Sequence, residues 1–341
     1  MKLLKKYGSI LMLLGILTYA LIACENDVEQ ALQTQNYFAV ANRGSNTITY
    51  HDTENLALIG TTTLEDGTQP TYVAYSKERN KIYTGGLENG LLYEINSENF
   101  QVERTLDIGL GAFHLWINDT VDQIWVNNTD TTQKTTTVVD LNSFTVLQSL
   151  ELPEELSLSD EAVQHDVIIS PEGNYAYVTI LDGAERSYVV QYNTTDYSII
   201  NTAEIGGDGH LGYFNNSLYS LSENNGEIIQ HQPGNLSEIN NILFSGSHGV
   251  TASDHFLFVA DLPGGRLGII DSDGALESVL DTNFDKTHNL AVNASGDRLL
   301  VSYSGGMQTK VELYNITSGE LSLNSTVDSG TNPFGVAFIQ K

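Results

Sequence analysis

Short runs of alternating apolar and polar residues fill most of the chain, the period-two pattern of strands buried on one face. "LLYEINSENFQVERTLDIG" (91–109) shows the unit: an alternating run, a turn of Asn, Ser and Glu, a second alternating run, then glycine. The layout returns in "TVVDLNSFTVLQSLEL" (137–152), "VVQYNTTDYSIINTAEIGG" (189–207), "IIQHQPGNLSEINNILFSG" (228–246), "LGIIDSDGALESVLD" (267–281) and "VELYNITSGELSLNSTVDSG" (311–330). Its first copy is "ITYHDTENLALIGTTTLEDG" (48–67). A second pair of strands separates these hairpins. It runs from Gly or Ser through a short loop to Pro or His, then an apolar strand, a turn and another apolar strand. "GTQPTYVAYSKERNKIYTGG" and "KTHNLAVNASGDRLLVSY" are examples.

Four strands therefore make one unit. Pro70, His114, His165, His210, His248, His288 and Pro333 mark seven units, at separations of 44, 51, 45, 38, 40 and 45 residues. Four-stranded units repeating at this interval predict an all-β, seven-bladed β-propeller. The two ends are complementary. "YFAVANRG" opens the repeats without a first strand, and "PFGVAFIQK" closes them with a first strand alone. One blade is then built from both termini, which shuts the ring and removes open sheet edges.

"SPEGNYAYVTI" and "NASGDRLLVSY" resemble the repeats of YVTN-type propellers. That superfamily includes the lactonase-like propellers and the N-terminal domain of nitrous oxide reductase. The resemblance spans residues 37–341 and implies the fold; propellers host many chemistries, so it leaves the activity open.

Ahead of the repeats, "MKLLKKYGSILMLLGILTYALIAC" has a basic start, an apolar run and small residues before a cysteine, the layout of a secretory signal. Leu21-Ile22-Ala23-Cys24 resembles the lipobox of bacterial lipoproteins, which implies cleavage after residue 23 and a lipid on Cys24. Residues 1–23 are thus expected to be a signal peptide, 24–36 an acidic tether, and 37–341 the propeller. The expected location is the bacterial cell envelope, periplasmic or surface-exposed, held to a membrane (the outer one) by the lipid. Cys24 is the only cysteine, so neither disulfides nor a thiolate metal site is available.

The charge is −28 over 341 residues, and removing Lys2, Lys5 and Lys6 with the signal makes it more negative. Nucleic acid is a poor partner for such a surface, because binding it needs clustered Lys and Arg. Cations, cationic partners and neutral ligands suit it better.

Histidine is the feature that points to chemistry. The strand that opens each propeller unit lines the central channel, and the loop before it lies at the channel mouth. His114, His165, His210, His248 and His288 occupy that place in five successive units, with Pro70 and Pro333 completing the ring. The other histidines, His51, His231 and His255, read as surface residues at strand ends or turns. Three readings of the five remain. Imidazole is a common ligand of late transition metals, so the ring could hold copper, zinc or iron. In nitrous oxide reductase a propeller holds a copper cluster by histidines at the channel mouth. This chain has no His-His pair and no cysteine-bearing second domain, so the reductase activity is not carried over. Alternatively the imidazoles, assisted by Gln69, Gln164, Asp166, Asp208, Lys286, Asn289 and Asn332, serve an organic substrate in lactonase- or lyase-like chemistry. "HFLFVADLPGGRLGIID" (255–271) resembles a lactonase-type repeat, and its Arg266 is either a participant or a turn residue. In the third reading the histidines stitch blades together in a protein-interaction scaffold. Trp116, two residues after His114, lies toward the channel by strand alternation, where it could stack on a ligand, although core packing is the expectation.

Overall fold

Seven antiparallel sheets of four strands, each running outward from a central axis in chain order, make up the protein in the computed structural model, which describes residues 36–340. The expected signal segment and Cys24 lie outside the described residues. No helix is present among the described residues. The inner strands of blades 2 to 7 are Pro70–Ser76, Ala112–Asn118, Val163–Ile169, Gly209–Phe214, Ser247–Ala252 and Thr287–Val292. Blade 1 joins the two ends of the chain, as the half-units predict. Its inner strand, Pro333–Ile339, pairs with Tyr37–Asn42, which pairs in turn with Thr47–Asp52 and Leu58–Thr63. Each inner strand also meets the inner strands on both sides, so the ring closes on itself.

Burial follows the pattern that predicted the strands. The second strand of each blade is sandwiched between neighbouring blades and is buried almost throughout, as in Tyr37–Asn42 and Gln123–Asn128. The outermost strands alternate, as in Val102–Asp107. Large rings fill the wedges between blades: Tyr37, Tyr50, Tyr83, Trp125 and Tyr177 are fully buried. Each such ring stabilises the fold by about 1.5–3 kcal/mol, provided its polar atom finds a partner. Tyr37 donates to the carbonyl of Ser97 in the next blade at 2.5 Å, and Tyr177 to that of Pro233 at 2.8 Å. Tyr50 stacks on Phe100 of blade 2 at 4.1 Å, a contact that needs Gly60, where a Cβ would lie 2.2 Å from the Phe100 ring.

Two histidines expected at the surface are in this core. His51 is buried and stacks on Phe38 at 5.2 Å. His231 is buried with both ring nitrogens bonded, to the Ser220 hydroxyl at 2.7 Å and the Leu236 carbonyl at 3.0 Å. Strand-end position in sequence hid them, because blade-to-blade packing covers strand ends as well as centres. His255 is exposed, as expected.

The ring has two unlike faces. Loops that bring the chain into each inner strand share one face with the turns after each second strand. The partnership of Pro333 with Asn42 marks this upper face, and that of Ile339 with Tyr37 marks the lower one.

Candidate functional site

A repeated backbone device sets the site. The residue just before the inner strand has a left-handed conformation in six blades: Gln69, Gly111, Asp208, Gly246, Lys286 and Asn332, with φ from 50° to 78°. Two residues later the ladder slips: in six blades three steps along the inner strand match two along its neighbour, a β-bulge. The bulge turns one or two side chains off the ladder and over the channel. In blades 4, 6 and 7 the first of these is His165, His248 and His288. Blade 5 has no bulge, and His210 stays in the ladder, paired with Leu221 between Gly209 and Leu211.

This register corrects the sequence alignment in three blades. Pro70 and Pro333 sit one position earlier, where they pair with Gly86 and Asn42, so Thr71 and Phe334 fill the histidine slot. In blade 3 that slot holds Phe113, and His114 is one residue further on, level with Tyr72 and Asp166. The bulge supplies two positions that face the channel, so a histidine at either reaches the same place.

All five histidines meet at the upper mouth of the channel, and each is at most 9% exposed. Adjacent ring centroids are 4.8 Å (His114–His165), 4.7 Å (His165–His210), 3.9 Å (His210–His248) and 4.6 Å (His248–His288) apart. Phe113 stacks on His165, and Phe334 packs on His288 at 4.1 Å. The collar is therefore five imidazoles flanked by two phenyl rings.

Acidic and amide groups fix the rings from behind. Asp166 accepts from His114 Nδ1 at 2.7 Å and from the Val167 and Leu211 backbone amides at 2.7 and 2.9 Å, and lies 3.6 Å from His210 Nδ1. Glu223 accepts from His248 Nδ1 at 2.7 Å. That leaves His248 Nε2 to accept from His288 Nε2 at 3.1 Å, while His288 Nδ1 accepts from the Asn289 amide at 2.7 Å. Asp208, aimed by its left-handed backbone, lies 3.5 Å from Nε2 of both His165 and His210. His114, His165 and His210 offer ring nitrogens within 4.8 Å of one another, and Asp208, His210 and His248 form a second such group.

The cluster carries its positive charge on His210. Burial opposes that charge, but Asp166 and Asp208 outweigh it and push His210 up to about 9. Burial, then the charge on His210, hold His165 and His248 well below the usual imidazole range. Burial also lowers His288 and His114; at His114 the adjacent Asp166 offsets only part of it. Asp166 and Asp208 stay ionised despite burial because imidazoles face them, and both are held below the usual carboxylate range. Glu223 differs: burial and the nearby Asp208 charge push it up to about 7.

Of the expected assistants, Asp166, Asp208 and Asn289 touch the histidines. Gln69 holds Arg43, Gln164 bonds the Leu150 carbonyl, and Asn332 bonds the Gly305 amide. Lys286 lies beside Gly305. Arg266 opens a strand and pairs with the buried Asp261 at 2.5 Å, which is a structural role. Trp116 does not pack in the core: it lines the channel and is 41% exposed. Glu223, Tyr72 and the two phenylalanines were missed. Glu223 lies in a turn after a second strand, remote in sequence from every histidine, and only closure of the ring brings it near.

No family model matches the sequence, and no curated protein matches it significantly. Solved structures do. A protein of unknown function from Desulfotomaculum acetoxidans superposes with a TM-score of 0.72 at 13% identity, over 89% of this chain and 99% of that one. The periplasmic gluconolactonase PpgL of Pseudomonas aeruginosa gives 0.71 at 15%, over 90% and 99%. The chain shares the propeller fold of these proteins. Dihydro-heme d1 dehydrogenase NirN, at 0.63 and 13% over 89% of this propeller and 75% of its own chain, shares the ring as well.

Proposed function

We propose that this propeller binds a transition metal ion, copper, zinc or iron, at the five-histidine mouth. The observation that carries the reading is the orientation of the imidazoles. Carboxylates take the Nδ1 side of His114, His210 and His248, the arrangement that metal-ligating histidines show, because it fixes the tautomer and raises ligand basicity. The opposite nitrogens approach each other: Nε2 of His165 and His210 are 3.4 Å apart. Tetrahedral zinc with bonds near 2.0–2.1 Å puts its nitrogen ligands roughly 3.3 Å apart. An overall charge of −28 also favours a cation.

Elemental analysis of protein from its native host tests this. Stoichiometric metal that disappears in the His165→Ala, His210→Ala, His248→Ala triple variant supports the reading. Metal-free protein that also fails to take up zinc or copper in calorimetry overturns it. Because His210 must lose its proton to become a ligand, uptake below pH 9 releases protons to the buffer.

A second reading draws on Glu223. A carboxyl near 7, beside the ionised Asp208 and the neutral His248, suits general acid–base work at neutral pH. Hydrolysis of a lactone fits it, and the gluconolactonase neighbour has the same fold. Lactone turnover by EDTA-treated protein that is lost in Glu223→Gln supports it. Metal-free protein inert on lactones leaves the role of a scaffold for a protein partner.

The location we infer is the cell envelope, through the signal segment and a lipid on Cys24; the periplasmic neighbour agrees with export. Palmitate labelling that vanishes in Cys24→Ser, with release of the protein from membranes, is the expected outcome.

A further inference from the structure

Below the histidines the channel is a cavity of about 260 Å³ bounded by all seven inner strands. Its roof is polar, made of His114, His210, His248, Asp166 and Asn289. Its walls are apolar and aromatic, with Tyr72, Trp116, Leu211, Val250, Leu290 and Val336 the main surfaces. Trp116 is the anomaly. A tryptophan on an inner strand leaves 41% of its surface uncovered, while Leu115 beside it is buried and Ile117 half-buried. Trp125, directly opposite it across the hairpin, is fully buried. Uncovered indole within a channel is apolar area available to a ligand.

Charge narrows the ligand. No Lys or Arg lines the cavity. The one carboxylate, Asp166, already accepts from His114 and two backbone amides. The one cation at the roof, His210, is already flanked by Asp166 and Asp208, so an anion finds no unpaired positive charge. A cation would have to leave water with no free carboxylate to receive it. One polar handle is available at the roof, where the Tyr72 hydroxyl bonds His114 Nε2 at 2.9 Å and presents its oxygen beside Asn289. An apolar cavity of about 150 Å³ is enough to take up benzene, so this one has room for a ring with a substituent.

We propose that the channel is a binding site for a small uncharged aromatic molecule bearing one hydrogen-bonding group, seated against Trp116 and Tyr72 beneath the histidines. It shares its roof histidines with the metal reading but requires no metal there.

Phenol is the probe, with benzoate as its charged counterpart, on full-length EDTA-treated protein. Trp116 and Trp125 are the only tryptophans, and Trp125 is sealed in the core, so ligand-dependent emission change reports Trp116. The expected results are a saturable change with phenol, binding of benzoate at least tenfold weaker, and a five- to tenfold loss of phenol affinity by calorimetry in Trp116→Ala. Leu290→Phe, which narrows the channel without touching Trp116, should also abolish binding while far-UV circular dichroism is unchanged. Absence of a saturable phenol signal in the parent protein overturns the proposal. So does benzoate binding as tightly as phenol, or undiminished phenol affinity in Trp116→Ala. Metal content measured on the same variants keeps this result apart from the fate of the metal reading.

Discussion

Replacing His210 by glutamine tests whether the buried positive charge is where the geometry puts it. In the metal-free protein His210 lies between Asp166 and Asp208, which raise it from 6.5 to about 9. At 1.36 kcal/mol for each pH unit, this shift stabilises the folded state by about 3 kcal/mol. The sign follows from a raised folded value. The contribution is complete below pH 6.5, declines as pH rises, and is gone above about 9. The neutral histidines act the other way. Because burial lowers His165, His248 and His288, they cost stability as pH falls below 6.5. Subtracting variant from parent removes the part that burial sets, while the part set by the His210 charge belongs to the His210 effect. The assay is urea unfolding followed by far-UV circular dichroism, from pH 6 to pH 10, on both proteins. A Glu223→Gln background removes the nearby carboxyl that titrates near 7. His210→Gln should be less stable by about 3–5 kcal/mol at pH 6, since two buried carboxylates lose their cation. That gap should shrink by about 3 kcal/mol on reaching pH 10. A gap constant to within about 0.5 kcal/mol across the range would refute the assignment of the proton to His210.

Other substitutions probe the same architecture. Asp166→Asn keeps the shape but cannot accept on both oxygens, so zinc or copper affinity measured by competition should fall roughly 10- to 100-fold. Gly249→Ala would place a methyl 1.7 Å from the His288 carbonyl oxygen, forcing two inner strands apart; a loss of about 3 kcal/mol in urea unfolding is expected. Deleting residues 333–341 removes the inner strand of blade 1, together with Phe334, and should abolish cooperative unfolding and leave the protein open to limited proteolysis.

The fold was legible because a propeller repeats its instructions. Alternation, turn residues and the two half-units each specify the same ring, and local pattern agrees with global closure. The five histidines were legible for the same reason: a repeat makes one position comparable across blades. What stayed hidden depends on features without a one-dimensional signature. The bulge shifts side chains by one position, so His114 was aligned with its neighbours although Phe113 holds their slot. Alternation places Trp116 on the channel side without telling whether it is covered, and an inner strand has no partner on its axial side. Burial of His51 and His231 comes from the adjoining blade. Glu223 reaches His248 across 25 residues through a loop whose composition resembles any other turn.

Blade 1 has one more consequence. Because Tyr37 pairs with Ile339, the described chain begins on the side of the disc remote from the imidazoles. Under the proposed lipid anchor, attachment from this side favours an orientation with the histidine-bearing surface turned outward to solvent. The Trp116 end of the bore would then look back at the bilayer, the phase in which small aromatic compounds concentrate.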